Sequence, residues 1–331
     1  MDTVLITGAT GLVGGHAAAL FRRLGWGVRA LVRPSSDTDR LDRLGVECIV
    51  GDITRAETLR GSADGCRAVV HGGAHLGSRA SWAHHLAVNV DGTRNVVSEA
   101  VRAGAERLVH ISSVAVYGHP RFHPRRLIDE SAPVDVPVAE NDHYDRSKRL
   151  AEDVVRAIPT DRLAWCVLRP DIVIGEGDRH FTPRIVRIAR SGSRIVPSGG
   201  TNDLPIVYAG NVARALLLAA TADRAIGRVY NVTDDGRLTL RELLETAAGT
   251  RRLHFVPVPG VLMEAGLTTL TAVLPSTRRL PINRRNIWFL VNSDPFDGSR
   301  IRRELGWAPE LSTAAGWERS IRAVAGQGQP L

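Results

Sequence analysis

Residues 3–14 read Thr3-Val4-Leu5-Ile6-Thr7-Gly8-Ala9-Thr10-Gly11-Leu12-Val13-Gly14, and an alanine- and leucine-rich stretch follows them. The apolar run at the start predicts a strand, the glycines predict a tight turn, and the stretch after them predicts a helix. Gly8 permits the sharp bend, Gly11 lets the backbone approach a pyrophosphate, and Gly14 lets the helix pack closely on the strand. An exposed helix N-terminus attracts the anion. The opening of the chain therefore predicts a dinucleotide-binding unit.

The basic residues are strongly biased, because the 43 lysines and arginines include a single lysine, Lys148. It stands four residues after Tyr144. In a helix this spacing puts phenol and ammonium on one face, where the cation lowers the tyrosine pKa from about 10 toward a useful range. A guanidinium does not reproduce the compact charge of lysine. The alternative is a solvated surface lysine, but the pair is interpreted as an acid/base site.

Strand-like and helix-like runs alternate from residue 1 to about residue 175. After the first strand, the predicted strands are Val28–Val32, Glu47–Val50, Ala68–His71, Leu108–Ser112 and Ala164–Leu168. This alternation predicts an α/β fold with a doubly wound parallel Rossmann sheet and a smaller C-terminal substrate domain. We expect residues 1–175 to form mainly the nucleotide-binding domain and 176–331 mainly the substrate domain, with about 205–235 returning to the first.

Three motifs resemble those of the extended short-chain dehydrogenase/reductase family. The pattern T-G-x-x-G-x-x-G is residues 7–14, S-S-x-x-V-Y-G is residues 112–118, and Y-x-x-x-K is residues 144–148. The resemblance implies Ser113, Tyr144 and Lys148 as the catalytic set. It spans nearly the whole chain, and its other landmarks are Gly51-Asp52-Ile53, Asn89-Val90-Asp91-Gly92-Thr93, Leu168-Arg169-Pro170 and Glu304-Leu305-Gly306-Trp307-Ala308-Pro309.

The resemblance also implies which residues contact a nicotinamide cofactor. They are Gly8, Thr10, Gly11, Leu12, Val13, Gly14, Arg33, Asp52, Ile53, Gly72, Gly73, Ala74, Asn89, Ser112, Tyr144, Lys148, Pro170 and Val173. The family more often has an apolar residue where this chain has Gly72, which affects the packing of the cofactor only.

The end of the second predicted strand favours NADP, with NAD as the alternative. An acidic residue at this place accepts from the ribose 2′-hydroxyl and repels a 2′-phosphate. Here the strand is followed by Arg33-Pro34-Ser35-Ser36, and the first carboxylate is Asp37. A guanidinium binds phosphate favourably. The alternative is that Arg33 points to solvent.

Composition excludes several classes of protein. The 331 residues carry a net charge of +8, but the arginines are scattered and no basic tract contains interleaved aromatic residues, so we expect no nucleic-acid partner. Three cysteines without paired spacing indicate neither a disulfide framework nor a zinc site, and the eleven histidines show no metal-ligand spacing. Met1 directly precedes the first predicted strand, so we expect no signal peptide and a cytoplasmic location.

The C-terminal part has one strongly apolar segment, Val258 to Leu274. It is shorter than the roughly 20 residues of a membrane span, and we expect a core helix or pocket wall rather than membrane insertion. Arginine is concentrated in two loops, Arg121 to Arg126 and Arg278 to Arg285.

The leading functional hypothesis is a ketoreductase or secondary alcohol dehydrogenase that acts on an apolar, cyclic small molecule. Tyr208-Ala209-Gly210-Asn211-Val212-Ala213 resembles a stretch of 3β-hydroxysteroid dehydrogenases. Ile172 stands where sugar-nucleotide enzymes of the family usually have an asparagine that holds a diphosphate. The alternatives are a sugar-nucleotide epimerase or dehydratase, and a binding protein that lost catalysis. The resemblance also makes a homodimer possible.

Overall fold

The computed structural model describes residues 1–77, 80–119, 122–123, 127–138, 142–191, 195–251, 253, 255–258, 262 and 295–326. Its centre is a seven-stranded sheet in the order β11-β6-β5-β4-β1-β2-β3, in which every pair of neighbours is parallel. The strands are β1 (Thr3–Thr7), β2 (Gly27–Val32), β3 (Glu47–Val50), β4 (Ala68–His71), β5 (Arg107–Ile111), β6 (Ala164–Pro170) and β11 (Arg228–Val232). The predicted doubly wound sheet is confirmed.

Helices cover both faces of this sheet. The helices of the described residues are α1 (Leu12–Arg23), α2 (Asp39–Arg43), α3 (Trp82–His85), α4 (Gly92–Arg102), α5 (His143–Arg156), α6 (Phe181–Ser191), α7 (Ala209–Thr221), α8 (Leu240–Ala248), α9 (Ser299–Leu305) and α10 (Thr313–Val324). Alternate residues of β1 point to opposite faces: Val4 packs in a core with α1 and α7, and Leu5 packs in a second core with α4 and α5.

A π-helical segment, Leu86–Asp91, joins α3 to α4. Such segments are uncommon and occur often at functional sites. It contains Asn89, whose side chain is buried.

The C-terminal part has its own apolar cluster, formed mainly by α6, α8 and α10. Short strands pair beside it: β7 (Ile172–Ile174) with β10 (Ile206–Tyr208), β9 (Asp203–Leu204) with β12 (Leu238–Thr239), and β8 (Ile195–Pro197) with β13 (Val256–Val258). These elements form the smaller C-terminal domain. The exact division of the chain between the two domains stays a prediction, although β11 does return to the large sheet.

Four boundaries differ from the sequence prediction. β2 begins at Gly27 and β5 at Arg107, each one residue early, while β5 ends at Ile111 and β6 continues to Pro170. Ser112 nevertheless donates its backbone N–H to Leu168 O at 2.7 Å, which continues the pairing by one bond. Most of the apolar segment 258–274, the arginine-rich loop 278–285 and most of the loop 121–126 lie outside the described residues. Among the helices of the described residues, none has the length and apolar character needed to cross a bilayer.

Candidate active site

The turn after β1 has no room for a side chain at Gly8 or at Gly14. Gly8 has φ +73°, and a Cβ on it would lie 2.7 Å from the Gly72 carbonyl. A Cβ on Gly14 would lie 2.3 Å from Gly8 O, so the turn also requires glycine where α1 packs on it. No side chain caps the N-terminus of α1, where Gly11 is the N-cap residue. The first N–H groups of α1 therefore suit a pyrophosphate, as predicted for residues 10–13.

A chain of hydrogen bonds joins this turn to the segment after β4. Gly73 N–H donates to Thr7 Oγ1 at 3.0 Å, and Thr7 Oγ1 lies 2.7 Å from His71 Nδ1. His71 Nε2 lies 2.9 Å from Thr93 Oγ1, whose hydroxyl donates to Asn89 O at 2.6 Å. Because the single Thr93 proton is used there, His71 must donate from Nε2 and accept at Nδ1. Burial lowers the pKa of His71 to about 3, so its imidazole is neutral.

Asn89 positions the segment that carries the predicted cofactor residues after β4. Its Oδ1 accepts from His75 N at 2.7 Å, and its Nδ2 donates to His75 O at 3.1 Å and to Ser147 Oγ at 2.8 Å. These protein groups use both ends of the amide. A contact of Asn89 with the cofactor stays a prediction.

The predicted adenosine residues lie at the ends of β2 and β3. Arg33 is exposed and begins a turn that Ser36 closes, since Ser36 N donates to Arg33 O at 2.9 Å. The N–H of Thr54 holds the pKa of the Asp52 carboxyl below its usual value, and the charge of Arg33 acts in the same direction. Arg33 and Asp52 are thus close together, while Ile53 next to them is half-buried.

Lys148 is buried where β5 ends. Its Nζ donates to Ile111 O at 2.6 Å and lies 3.5 Å from His110 Nε2. Ser113 follows two residues after Ile111 and accepts from Ala115 N at its Oγ, which begins a 3₁₀ turn. Tyr144 is half-buried on α5, one helical turn before Lys148. Ser113 thus follows β5 at the carboxyl edge of the sheet, and Tyr144 and Lys148 lie on α5; their joint catalytic role stays a prediction.

Burial dominates the electrostatics of Lys148. It lowers the lysine pKa to about 8, and the carboxylate of Glu152 acts in the opposite direction. The pKa of His110 lies well below its ordinary value because of burial and the charge of Lys148, so His110 is neutral. With one N–H used by Ile111 and one directed at His110, a third donor of Lys148 remains for a ligand.

A buried ion pair next to these residues was not predicted from the sequence. Arg169 on β6 donates to both carboxylate oxygens of Glu152 on α5, at 2.9 and 2.6 Å. Ser112 Oγ donates to the same carboxylate at 2.5 Å, and Arg169 also donates to Tyr117 OH at 2.8 Å. The network ties α5 to the residue before Ser113. Glu152 lies one turn after Lys148, but nothing in the sequence pairs it with Arg169.

The remaining predicted residues lie at the end of β6 and in β7. Pro170 ends this strand, and Ile172 and Val173 of β7 are half-buried. Ile172 N donates to Pro205 O at 2.9 Å, and its side chain packs against the C-terminal apolar cluster. Asn211 of the Tyr208–Ala213 stretch is fully buried and bonds to Asp234 and to the backbone of residues 310–311. These hydrogen bonds give Asn211 a structural role within the fold.

No group of three or more histidines, cysteines or carboxylates in the described residues is arranged to hold a metal ion. The three cysteines are free thiols.

The parallel sheet and the glycine turn after β1 define a dinucleotide-binding fold, and the catalytic role of Ser113, Tyr144 and Lys148 stays a prediction. Residues 4–233 match the model of the NAD dependent epimerase/dehydratase family. The chain belongs to this family, within the extended short-chain dehydrogenase/reductases, and is an NAD(P)-dependent enzyme.

Two relatives are similar over nearly their whole length. The 4-hydroxy-2-methyl-3-oxo-4-farnesyl-3,4-dihydroquinoline-1-oxide ketoreductase of Stigmatella aurantiaca is 30% identical over 98% of this chain and 97% of its own. The 2-alkyl-3-oxoalkanoate reductase of Stenotrophomonas maltophilia is 28% identical over 96% of this chain and 97% of its own. Among solved structures, gox2253 superposes with a TM-score of 0.78 and 25% identity, covering 99% of this chain and 100% of that one.

Proposed function

We propose that this enzyme is a ketoreductase or secondary alcohol dehydrogenase that acts on a largely apolar, cyclic small molecule. The observation that carries the proposal is the buried Lys148, one helical turn from Tyr144 and bonded to the end of the strand that leads to Ser113. Such a placement serves proton transfer to or from a carbonyl oxygen.

The chemistry divides between this chain and its cofactor. When bound, the nicotinamide supplies or accepts the hydride. The hydroxyls of Ser113 and Tyr144 hold the carbonyl oxygen, and Tyr144 provides the proton in reduction or takes it in oxidation. The Lys148 ammonium lowers the tyrosine pKa and donates to the ribose. Positioned acid/base groups of this kind contribute about 10²- to 10⁴-fold.

Three observations support an apolar ketone over a sugar nucleotide. Ile172 is apolar at the place where the sugar-nucleotide enzymes usually have an asparagine. Leu76, two residues after the predicted cofactor residues 72–74, is 60% exposed and can contact a ligand. Both relatives above are named as reductases of oxo compounds.

Net turnover of cofactor tests the reaction type. We expect ketones with an apolar ring to oxidise NADPH stoichiometrically, as followed by its absorbance. The family name keeps a sugar-nucleotide epimerase or dehydratase as the second candidate. Conversion of a sugar nucleotide into its epimer without net change in cofactor would overturn the ketoreductase. Tight binding of ligand and cofactor with no turnover of either substrate class would favour a binding protein.

We also propose that NADP is the preferred cofactor, because Arg33 lies exposed at the end of β2 and Asp37 is the first carboxylate after it. The guanidinium would pair with the 2′-phosphate. A cytoplasmic location and a homodimer remain predictions from the sequence.

Replacing Arg33 by alanine tests the preference for NADP. We expect Arg33→Ala to weaken NADP about 10- to 100-fold, as for loss of a charged hydrogen bond, and to change NAD little. Dissociation constants of both cofactors decide this, and Arg55, which also faces Asp52, gives a matched control in Arg55→Ala. Equal or tighter binding of NAD by the wild type would refute the proposal.

A further inference from the structure

Four histidines from three segments of the chain lie together beside Tyr144. His75 follows β4, His84 and His85 end α3, and His143 opens α5 directly before Tyr144. The ring centroids are 4.6 Å apart for His75 and His84, 5.0 Å for His75 and His85, and 5.9 Å for His85 and His143. We name these four residues the histidine cluster.

Asn89 fixes the cluster relative to the active site, since it binds the backbone of His75 and also Ser147 on α5. Ala74, a predicted cofactor residue, directly precedes His75. The cluster is thus joined at one end to the cofactor segment and at the other to the helix of Tyr144.

The histidines differ in whether their nitrogens are satisfied. His85 Nε2 donates to Gly77 O at 3.0 Å, and its Nδ1 lies 3.5 Å from Asn89 Nδ2. His143 Nδ1 is a buried atom without a hydrogen-bond partner in the described part of the chain. His75 Nε2 is buried without a hydrogen bond of good geometry, although the Gly77 backbone acts on this ring and raises its pKa. Buried polar atoms almost always have partners in folded proteins. A ligand oxygen would supply what these two nitrogens lack.

One cation lies beside the cluster, and no carboxylate of the described residues forms an ion pair with its histidines. Within the described residues, His16 pairs with a carboxylate, that of Glu176, whereas no histidine of the cluster does. The cation of Arg146 on α5 lies 4.4 Å from the ring centroid of Trp82, which packs on His143. Burial lowers the pKa values of His75 and His85, and charge on the neighbouring histidines lowers them further.

We propose that His75, His84 and His143 bind a carboxylate on the substrate, so that the enzyme prefers oxo acids, or the matching hydroxy acids, to neutral ketones. This deepens the proposed function and rests on it. Neutral imidazole N–H groups can donate to the carboxylate. The charged residues nearest in sequence to His143 are Asp142, the N-cap residue of α5, and Asp145 and Arg146 on α5, and the guanidinium of Arg146 lies over Trp82.

Paired probes separate the carboxylate from the rest of the ligand. The probes are 4-oxocyclohexanecarboxylate and its methyl ester, titrated by calorimetry into the enzyme loaded with NADP. At pH 5.5 we expect the acid to bind at least about 10-fold more tightly than the ester, as for one charged hydrogen bond. The acid is ionised at this pH, so the comparison tests recognition of a carboxylate. An acid that binds no better than the ester at pH 5.5 would overturn the proposal.

Substitutions in the histidine cluster test whether these residues cause the preference for the acid over the ester. His84 is exposed, so His84→Phe should fold, and His143→Phe keeps an aromatic ring at the start of α5. In both variants we expect the ratio of acid to ester affinity to fall toward 1. His180→Phe makes the same replacement at an exposed histidine before α6 and should keep the wild-type ratio. An unchanged ratio in both cluster variants would mean that the carboxylate binds elsewhere.

Turnover of the same probes distinguishes this inference from the proposed function. Reduction of the ester with no preference for the acid leaves the ketoreductase standing and removes the carboxylate site. Tight, cluster-dependent binding of the acid, with no reduction of either probe or of other ketones, keeps the carboxylate site and removes the ketoreductase.

Discussion

Lys148 combines two opposing requirements, because the reaction needs its charge and the fold buries it. The ammonium has Ile111 O and neutral His110 around it, with Glu152 as the neighbouring carboxylate. A lysine in this setting holds its proton less firmly than one in water. Catalysis at this position is therefore achieved at some cost to stability.

Tyr144→Phe should abolish turnover and leave cofactor binding nearly intact, because it removes the hydroxyl that transfers the proton and keeps the ring. We expect a fall in kcat of at least about 10²- to 10⁴-fold, the usual contribution of such a group. Lys148→Arg should fail as well, since the guanidinium cannot place its charge identically. Steady-state kinetics with cofactor titration measure both effects. A folded Tyr144→Phe protein with full activity would remove Tyr144 from the mechanism.

Lys148→Met should give an inactive protein that is more stable than the wild type at pH 7. The folded-state pKa is lowered from 10.5 to about 8, so the folded chain binds this proton less tightly than the unfolded chain. The cost is complete below pH 8, about 3 kcal/mol at most, and disappears as the pH rises toward 10.5. Loss of the bond to Ile111 O offsets about 1 kcal/mol.

Urea unfolding of the cofactor-free proteins at pH 7 and pH 10 measures the effect of Lys148→Met. The gain in the free energy of unfolding should be largest at pH 7 and smaller at pH 10. The same gain at both pH values would show that burial of the charge is not its cause.

The segments that meet at the site are coupled by the ion pair of Glu152 and Arg169. It joins α5, which carries Tyr144 and Lys148, to β6, and through Ser112 it reaches the end of β5. Both side chains of the pair are about 3% exposed or less. Removing one member of such a buried pair leaves the other uncompensated.

Glu152→Gln should lower the free energy of unfolding by about 3 kcal/mol and also reduce kcat. The matched control is Glu106→Gln, which breaks a bond from Arg67 at the surface and should cost less than about 1 kcal/mol. Urea unfolding and kinetics on both variants make the comparison. Similar losses of stability in the two would contradict the assigned role of the buried pair.

Patterns among residues close together in the sequence predicted helices, strands and the glycine turn. The spacing of Tyr144 and Lys148 indicated one face of a helix, and the glycines of residues 8–14 indicated the turn. The pairing of Glu152 with Arg169 spans 17 residues and two elements, so no periodicity reveals it. The histidine cluster was missed for the same reason, because three segments bring it together. The adjacent pair His84-His85 was its one local sign.

At the scale of the whole molecule, the predicted cofactor residues come from the ends of several strands of one sheet. Cofactor binding should therefore stabilise the whole sheet. At 100 times its dissociation constant, NADP should add about 2.7 kcal/mol to the free energy of unfolding and raise the melting temperature by several degrees.

Gly11→Ala provides the control for this shift. Gly11 has an ordinary φ of −85°, and a Cβ on it would lie 3.1 Å from Gly8 O, so the variant should fold. Its methyl group would stand where the pyrophosphate approaches, and most of the thermal shift should be lost. A wild-type shift in Gly11→Ala would place the nucleotide away from this turn.

The approach of Gly8 to Gly72 bears on how quickly the nucleotide arrives. The two turns touch through their backbones, and the bond from Gly73 N to Thr7 Oγ1 fastens them together. These two turns are thus already in place in the free enzyme, and binding of the nucleotide orders few further residues. Association should then follow a single encounter step, with an observed rate that increases linearly with nucleotide concentration. Differences in affinity among nucleotides would then arise mainly from their dissociation rates.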